Sequence, residues 1–215
     1  MICVIFNHNH NENSANLLEM FSRDMESVVL DSGSSIEDPR FSIMGNIYYS
    51  NLLNESVRLM NLMNKDWLLF ITGDIEINEE NYIKLITATK NLDGIGSYSP
   101  SVSKISKSHG FCKRVSDSGL RDVNFNEGFM SIVRSDIINN ICPVNSSLNK
   151  HGWGLDVYTG YQCKKSGLRC VVDDSVEVYH PHSTGYDLSE ASHGMYSWAD
   201  SLNDPDFKKF LYTAI

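Results

Sequence analysis

Unbroken apolar runs of strand length alternate with helix-spaced apolar positions over the first hundred residues. Ile2 to Phe6 and Trp67 to Ile71 are continuous apolar stretches, and Ser27 to Leu30 and Ile95 to Tyr98 are shorter predicted strands. Strands apolar on both faces belong in a parallel sheet covered by helices on each side. Helical patterns lie between them. Asn13 or Ser14 can cap a helix that sets Leu17, Leu18 and Phe21 on one side. A second pattern runs from about Asn46 to Met63 through Leu52, Leu53, Val57 and Met60, and Asn78 caps a third that reaches about Lys90. This alternation predicts βαβ units and an α/β fold built on a mostly parallel sheet.

The pattern changes after Ser101. From there to Asn126 the chain is rich in Ser, Lys and Arg, including Lys104, Lys107, Lys113, Arg114 and Arg121, and shows little periodicity. It reads as a long excursion with short antiparallel strands near the mouth of a site. A strand at Gly128 to Val133 and a short helix capped by Ser135 restore order. The loop His151-Gly152-Trp153-Gly154-Leu155-Asp156 follows, then a helix through Ser166 stopped by Gly167. Two further strands are predicted at about Leu168 to Val172 and Val176 to Tyr179. The stretch from Asp187 to Ile215 is helical in pattern, aromatic, and broken near Pro205. The partition this predicts is a domain over 1–186 and a C-terminal helical flap over 187–215 packed on it.

Composition narrows the functional classes. The 215 residues carry a formal net charge of -9, which argues against broad, non-specific binding to nucleic acid or anionic membrane. No run approaches the ~20 apolar residues of a membrane span. The opening MICVIFNHNHNEN has no basic leader, so no signal peptide is expected. Five cysteines without a CxxC pair suit reduced thiols, and a cytoplasmic protein is the expectation.

Candidate chemistry sits at strand ends. The Trp67 strand stops in Gly73 and two carboxylates, Asp74 and Glu76, where ligands gather in open α/β sheets. Two hard oxygen donors there suit Mg²⁺ or Mn²⁺. Asp156 stands at a helix N-terminus, which should keep it ionised as a general base requires. Val176 to His182 ends a strand in His180 and His182, and Asp31 lies in the turn DSGSS.

Together, VVLDSGSS, WLLFITGDIEI, NEGFMSIVRSDII, HGWGLD and SVEVYHPH, in that order after a first strand ending in Asn7, resemble nucleotide-sugar glycosyltransferases of the GT-A fold, especially family-2-like inverting enzymes. The resemblance covers about Ile2 to Tyr186. It implies a Rossmann-like GT-A sheet, a nucleotide-diphosphate sugar donor bound by Asn7, Asp31, Asp74, Trp153 and Gly154, and Asp31 on the nucleotide base. It places Asp74 and Glu76 at the metal-binding DxD position, with His180 or His182 as a further ligand of Mn²⁺ or Mg²⁺. It makes Asp156 the catalytic base and implies inversion at the anomeric carbon. The acceptor it suggests is a saccharide, with a hydroxylated base in modified DNA as a second class. Two departures stand out: Asp-x-Glu replaces Asp-x-Asp, and Leu155-Asp156 stands where many members carry Glu-Asp. A competing reading takes His8, His10, Asp74 and His180 or His182 as the metal site of a hydrolase or nuclease.

Overall fold

The structure, a computed structural model, describes residues 1–106, 110–181 and 185–214. In chain order the elements are β1 (Ile2–Asn7), α1 (Asn11–Phe21), β2 (Glu26–Asp31), β3 (Ser42–Ile43), α2 (Tyr48–Leu62), β4 (Trp67–Thr72), α3 (Glu79–Ala88), β5 (Ile95–Val102), β6 (Leu120–Asp122), β7 (Met130–Arg134), α4 (Ser135–Ile138), α5 (Leu155–Lys165), β8 (Arg169–Val178), α6 (Leu188–Ser201) and α7 (Pro205–Ala214).

The strands form one sheet in the order β3-β2-β1-β4-β7-β5-β8-β6. Parallel pairing joins β1 to β2 and β4, β2 to β3, and β5 to β8. Strand β7 runs antiparallel to β4 and β5, and β6 antiparallel to β8. Successive side chains of a strand point to opposite faces, and β1 shows the result. Ile2, Val4 and Phe6 join the core beneath α2, α4, α5, α6 and α7, while Cys3 and Ile5 join the core beneath α1 and α3. The chain progresses outward from β1 through β2 to β3, then returns to place β4 on the other side. The crevice at the carboxyl ends of β1 and β4 is therefore the topological switch point, where α/β sheets bind ligands.

Several boundaries differ from the sequence expectation for identifiable reasons. Helix α1 starts at Asn11, with His10 as N-cap, not after Asn13 or Ser14. Those two side chains are used elsewhere: Asn13 Nδ2 donates to the carbonyls of Gly73 (2.8 Å) and Ile75 (2.7 Å), and Ser14 Oγ donates to Asn7 Oδ1 (2.8 Å). Asn78 does cap α3, its side-chain oxygen accepting from Asn81 N at 2.9 Å. The two late strands are one strand, β8, interrupted by an irregularity: its partners step from Pro100–Asp173 to Ser101–Glu177. The polar run Asp173-Asp174-Ser175 that read as a break is accommodated there. Asp174 is buried on Arg121 at 2.8 Å, and Asp173 accepts the Tyr98 hydroxyl at 2.8 Å.

The C-terminal helices share the core of the sheet. Trp198 and Phe207 pack on Tyr158 of α5, with ring centroids 5.4 and 4.5 Å away. The glycine with the tightest surroundings lies on the same helix, at Gly160. A Cβ there would meet the Asn124 carbonyl oxygen at 1.9 Å and Phe125 Cα at 3.0 Å. Both neighbours are backbone and cannot rotate away. Gly160→Ala is expected to destabilise the fold by about 1–3 kcal/mol, the usual cost of overpacking, measured as a lower urea midpoint with unchanged slope.

Candidate active site

A cavity of about 1020 Å³ opens at the switch point and extends from the end of β1 to the N-terminus of α5. Thr72, Gly73 and Asp74 line it from the end of β4, and Asp156 and the loop before it from the opposite side. Three carboxylates (Asp74, Glu127, Asp156) and four histidines (His8, His10, His151, His180) reach its wall. No lysine or arginine does among the described residues.

Asp74 and His180 come together, His180 Nε2 lying 3.2 Å from Asp74 Oδ2. Burial pushes the Asp74 carboxyl up. The hydrogen bonds from His180 and Thr72 and the proximity of His180 and His10 outweigh it, so the net position is below the usual range and Asp74 is ionised. The His180 ring stacks on Phe129 (5.2 Å), and its buried Nδ1 makes no hydrogen bond among the described residues.

Glu76 stands apart from this pair. The turn Thr72–Ile75, closed by Ile75 N donating to Thr72 O (3.1 Å), breaks the strand period and sends Ile75 into the core. Glu76 then forms a two-way backbone bridge with Tyr179, its side chain exposed and off the cavity wall. The i, i+2 pair that faces the cavity is Thr72/Asp74, not Asp74/Glu76. His182 lies outside the described residues. No cluster of three or more His, Cys, Asp or Glu side chains able to hold a metal is found among the described residues. Nor is the four-ligand hydrolase site assembled: His8 turns its Nδ1 to the Ser32 carbonyl at 2.8 Å, with its side chain exposed.

The remaining pair nevertheless fits a hard divalent ion. Asp74 supplies the hard oxygen such an ion needs, and His180 would add a nitrogen beside it once the hydrogen bond between the two gives way. Such ions take few protein ligands and complete their shell with substrate phosphates and water.

At the carboxyl end of β1, Asn7 lines the cavity, but its side chain is committed to the protein. Its Oδ1 accepts from Ser14 Oγ and His10 N, and its Nδ2 donates to Asn11 Oδ1 and Ser34 Oγ. It pins the loop rather than offering atoms to a ligand. Asp31 is fully buried behind Ser32, which lines the cavity where Asp31 does not. Its Oδ1 accepts from Ser34 N (2.9 Å) and Oγ (2.7 Å), while its Oδ2 makes no hydrogen bond among the described residues.

On the opposite side, Gly154 caps α5 in the left-handed region (φ 79°) with Met195 of α6 packed against it. Trp153 donates through Nε1 to the Tyr186 hydroxyl (2.8 Å), and the Tyr186 ring stacks on His151 (4.3 Å). His151 in turn meets Glu190 of α6 at 3.1 Å. Asp156 accepts from Val157 N at 2.8 Å, yet it does not stay in the usual range. Burial raises it, the Val157 bond lowers it, Glu127 raises it again, and the result is about 7. The helix terminus was expected to dominate; desolvation does.

The described basic residues of the excursion lie off the cavity wall, Lys107 falling outside the described residues. Lys113 Nζ donates to Lys104 O, Arg114 lies 3.4 Å from Glu177 and from Asp117, and Arg121 is held by Asp174. Sequence reasoning missed Thr72, Glu127, Tyr186 and above all Tyr49. The half-buried Tyr49 donates its hydroxyl to Gly128 O (2.8 Å) and fills the space a Cβ would need at Gly128 and Gly152. No motif marks a tyrosine in a helix for that role.

No family model matches the chain, and no curated protein matches it in sequence. Solved structures do match in fold. A mannosyltransferase, PcManGT from Pyrobaculum calidifontis in complex with GDP-Man and Mn²⁺, aligns over 98% of this chain and 67% of its own, with TM-score 0.64 and 14% identity. TarS from S. aureus (residues 1–349) aligns over 99% and 78%, with TM-score 0.58 and 12% identity. GalNAc-T7 with UDP, GalNAc and Mn²⁺ aligns over 86% of this chain, which spans only 43% of that one, with TM-score 0.60 and 9% identity. The chain has a GT-A-like glycosyltransferase fold.

Proposed function

We propose that the chain is a metal-dependent, inverting glycosyltransferase that moves a sugar from a nucleotide-diphosphate donor to a saccharide hydroxyl. The observation that carries this reading is the cavity itself. An ionised Asp74 beside His180 faces a raised carboxyl, Asp156, across a space with no lysine or arginine on its described wall. A diphosphate leaving group needs positive charge as it departs. With no lysine or arginine there among the described residues, Asp74 and His180 would hold Mg²⁺ or Mn²⁺, which would supply that charge as a Lewis acid.

The chain's own groups account for the rest. Asp31, buried off the cavity wall, holds the turn after β2 through Ser34 N and Oγ and so shapes the edge against which a nucleotide would lie. Asp156 takes the acceptor hydroxyl proton as the new C–O bond forms at the anomeric carbon and the sugar–phosphate bond breaks. One displacement inverts that carbon. A carboxyl near 7 suits this work, because a base is most effective with its pKa close to the working pH. Transfer should rise with pH through about 7. Trp153 and Tyr186, held together at the cavity wall, suit a sugar ring, and a wall without lysine or arginine among the described residues disfavours a polyanionic acceptor such as DNA. No described helix is long and apolar enough to cross a membrane. With all five cysteines free, we place the activity in the cytoplasm.

A thermal-shift panel tests the donor reading. UDP, GDP and their sugar conjugates are added with and without Mn²⁺. A nucleotide at 100 times its Kd should add about 2.7 kcal/mol of stability, and only with the metal present. A panel in which no nucleotide raises Tm under either condition overturns the proposal.

A further inference from the structure

A second carboxylate, from a distant part of the chain, shares the cavity wall with Asp156. Leu155, the residue before Asp156, is buried in the core and contributes no charge. Glu127 closes the 124–127 loop that leads into β7 and lines the same cavity as Asp156. Its place is fixed from three directions. Gly160 lies four residues beyond Asp156, on the same face of α5, and its missing Cβ lets the Asn124–Phe125 backbone lie directly against that face. The buried Phe125 ring packs edge-on against Phe111 at 4.7 Å, and the neighbouring Cys112 thiol is pushed up by burial and by the nearby charges of Glu127 and Asp156. The residue after Glu127 is held by the Tyr49 hydroxyl at 2.8 Å.

Building on the reading of Asp156 as the base, we propose that Glu127 is its positioning residue: held beside Asp156 by these contacts, its carboxylate makes Asp156 a stronger proton acceptor. Like charges sharing a site disfavour ionisation of either. Tyr49 from α2, Cys112 from the turn before β6 and Tyr186 from the segment before α6 also face Asp156. Burial pushes all three up, so each is neutral at pH 7. Glu127 is the anion whose charge raises Asp156, in addition to the larger effect of burial.

The direct test follows the Asp156 carboxyl by ¹³C NMR in the free protein, its signal assigned by its loss in Asp156→Asn. In the unsubstituted chain the midpoint should lie at about 7. Glu127→Gln should lower it by about half a unit to one unit, burial holding it above the ordinary range. Glu127→Ala, measured alongside in case one variant folds poorly, should do the same, and Glu127→Asp should retain most of the effect. The acidic limb of kcat/KM should move down with the midpoint. An unmoved midpoint in both neutral variants overturns the proposal. A midpoint that moves while the limb stays overturns the base assignment, and with it this role for Glu127. The titration needs no sugar donor, so it is read independently of any failure to detect transfer.

Discussion

Asp156→Asn is expected to transfer sugar roughly 10²–10⁴-fold more slowly than the unsubstituted chain, the range for loss of a general base, with donor affinity within a few-fold. The amide keeps the shape at the start of α5 but cannot take the acceptor proton. A second consequence needs no assay of activity. A carboxyl raised to about 7 in the folded chain binds its proton more tightly than it does in the unfolded chain. Its favourable share of stability is complete below the ordinary carboxylate range and is lost as pH rises through about 7. The amide has no such loss. Thermal denaturation should therefore find Asp156→Asn more stable than the unsubstituted chain at pH 8, with the gap closing as pH falls toward 4. Normal transfer by the variant removes Asp156 from the role of base. An equal Tm at pH 8 shows that the site is wetter than its burial implies.

Asp74→Ala should be the other severe substitution, lowering transfer roughly 10³-fold or more. With Asp74 gone, His180 is the sole remaining donor of the pair, and no described lysine or arginine on the cavity wall can take over the charge of a diphosphate. Excess chelator should act on the unsubstituted chain as Asp74→Ala does, and Mn²⁺ or Mg²⁺ should restore it. Glu76→Ala should have little effect, because its side chain is exposed and off the cavity wall. Undiminished transfer in chelator, or a Glu76 variant as impaired as the Asp74 one, would sink the Asp74–His180 assignment.

The difference between Asp74 and Glu76 shows where the sequence was legible. Regular elements were: the doubly apolar runs of β1 and β4 gave a two-faced sheet, and the strand end at Thr72 located the site. What failed was phase after a turn. An i, i+2 rule holds only while the strand continues, and the Thr72–Ile75 turn resets it before Glu76. Capping failed at α1 for a related reason, because Asn13 and Ser14 satisfy tertiary partners in preference to their own helix. Asp156 was found by its loop, but its charge state was misjudged: a local dipole is visible in sequence, and the burial that overrides it is not. Glu127 lay within a recognised segment and acquired meaning only when Gly160 brought that segment against α5.

Tyr49 also constrains how the protein can diverge. Its hydroxyl would lie 2.8 Å from a Cβ at Gly128, and its ring only 2.2 Å from one at Gly152. The same ring packs edge-on against Phe6 and Phe70 at the ends of β1 and β4. Position 128 can therefore gain a side chain only if position 49 loses bulk, and the reverse change alone would leave a void beneath both loops. Among homologous sequences, 49, 128 and 152 should vary as a set. A lineage that replaces this tyrosine with a small residue is the place to look for a reshaped cavity and a different substrate range.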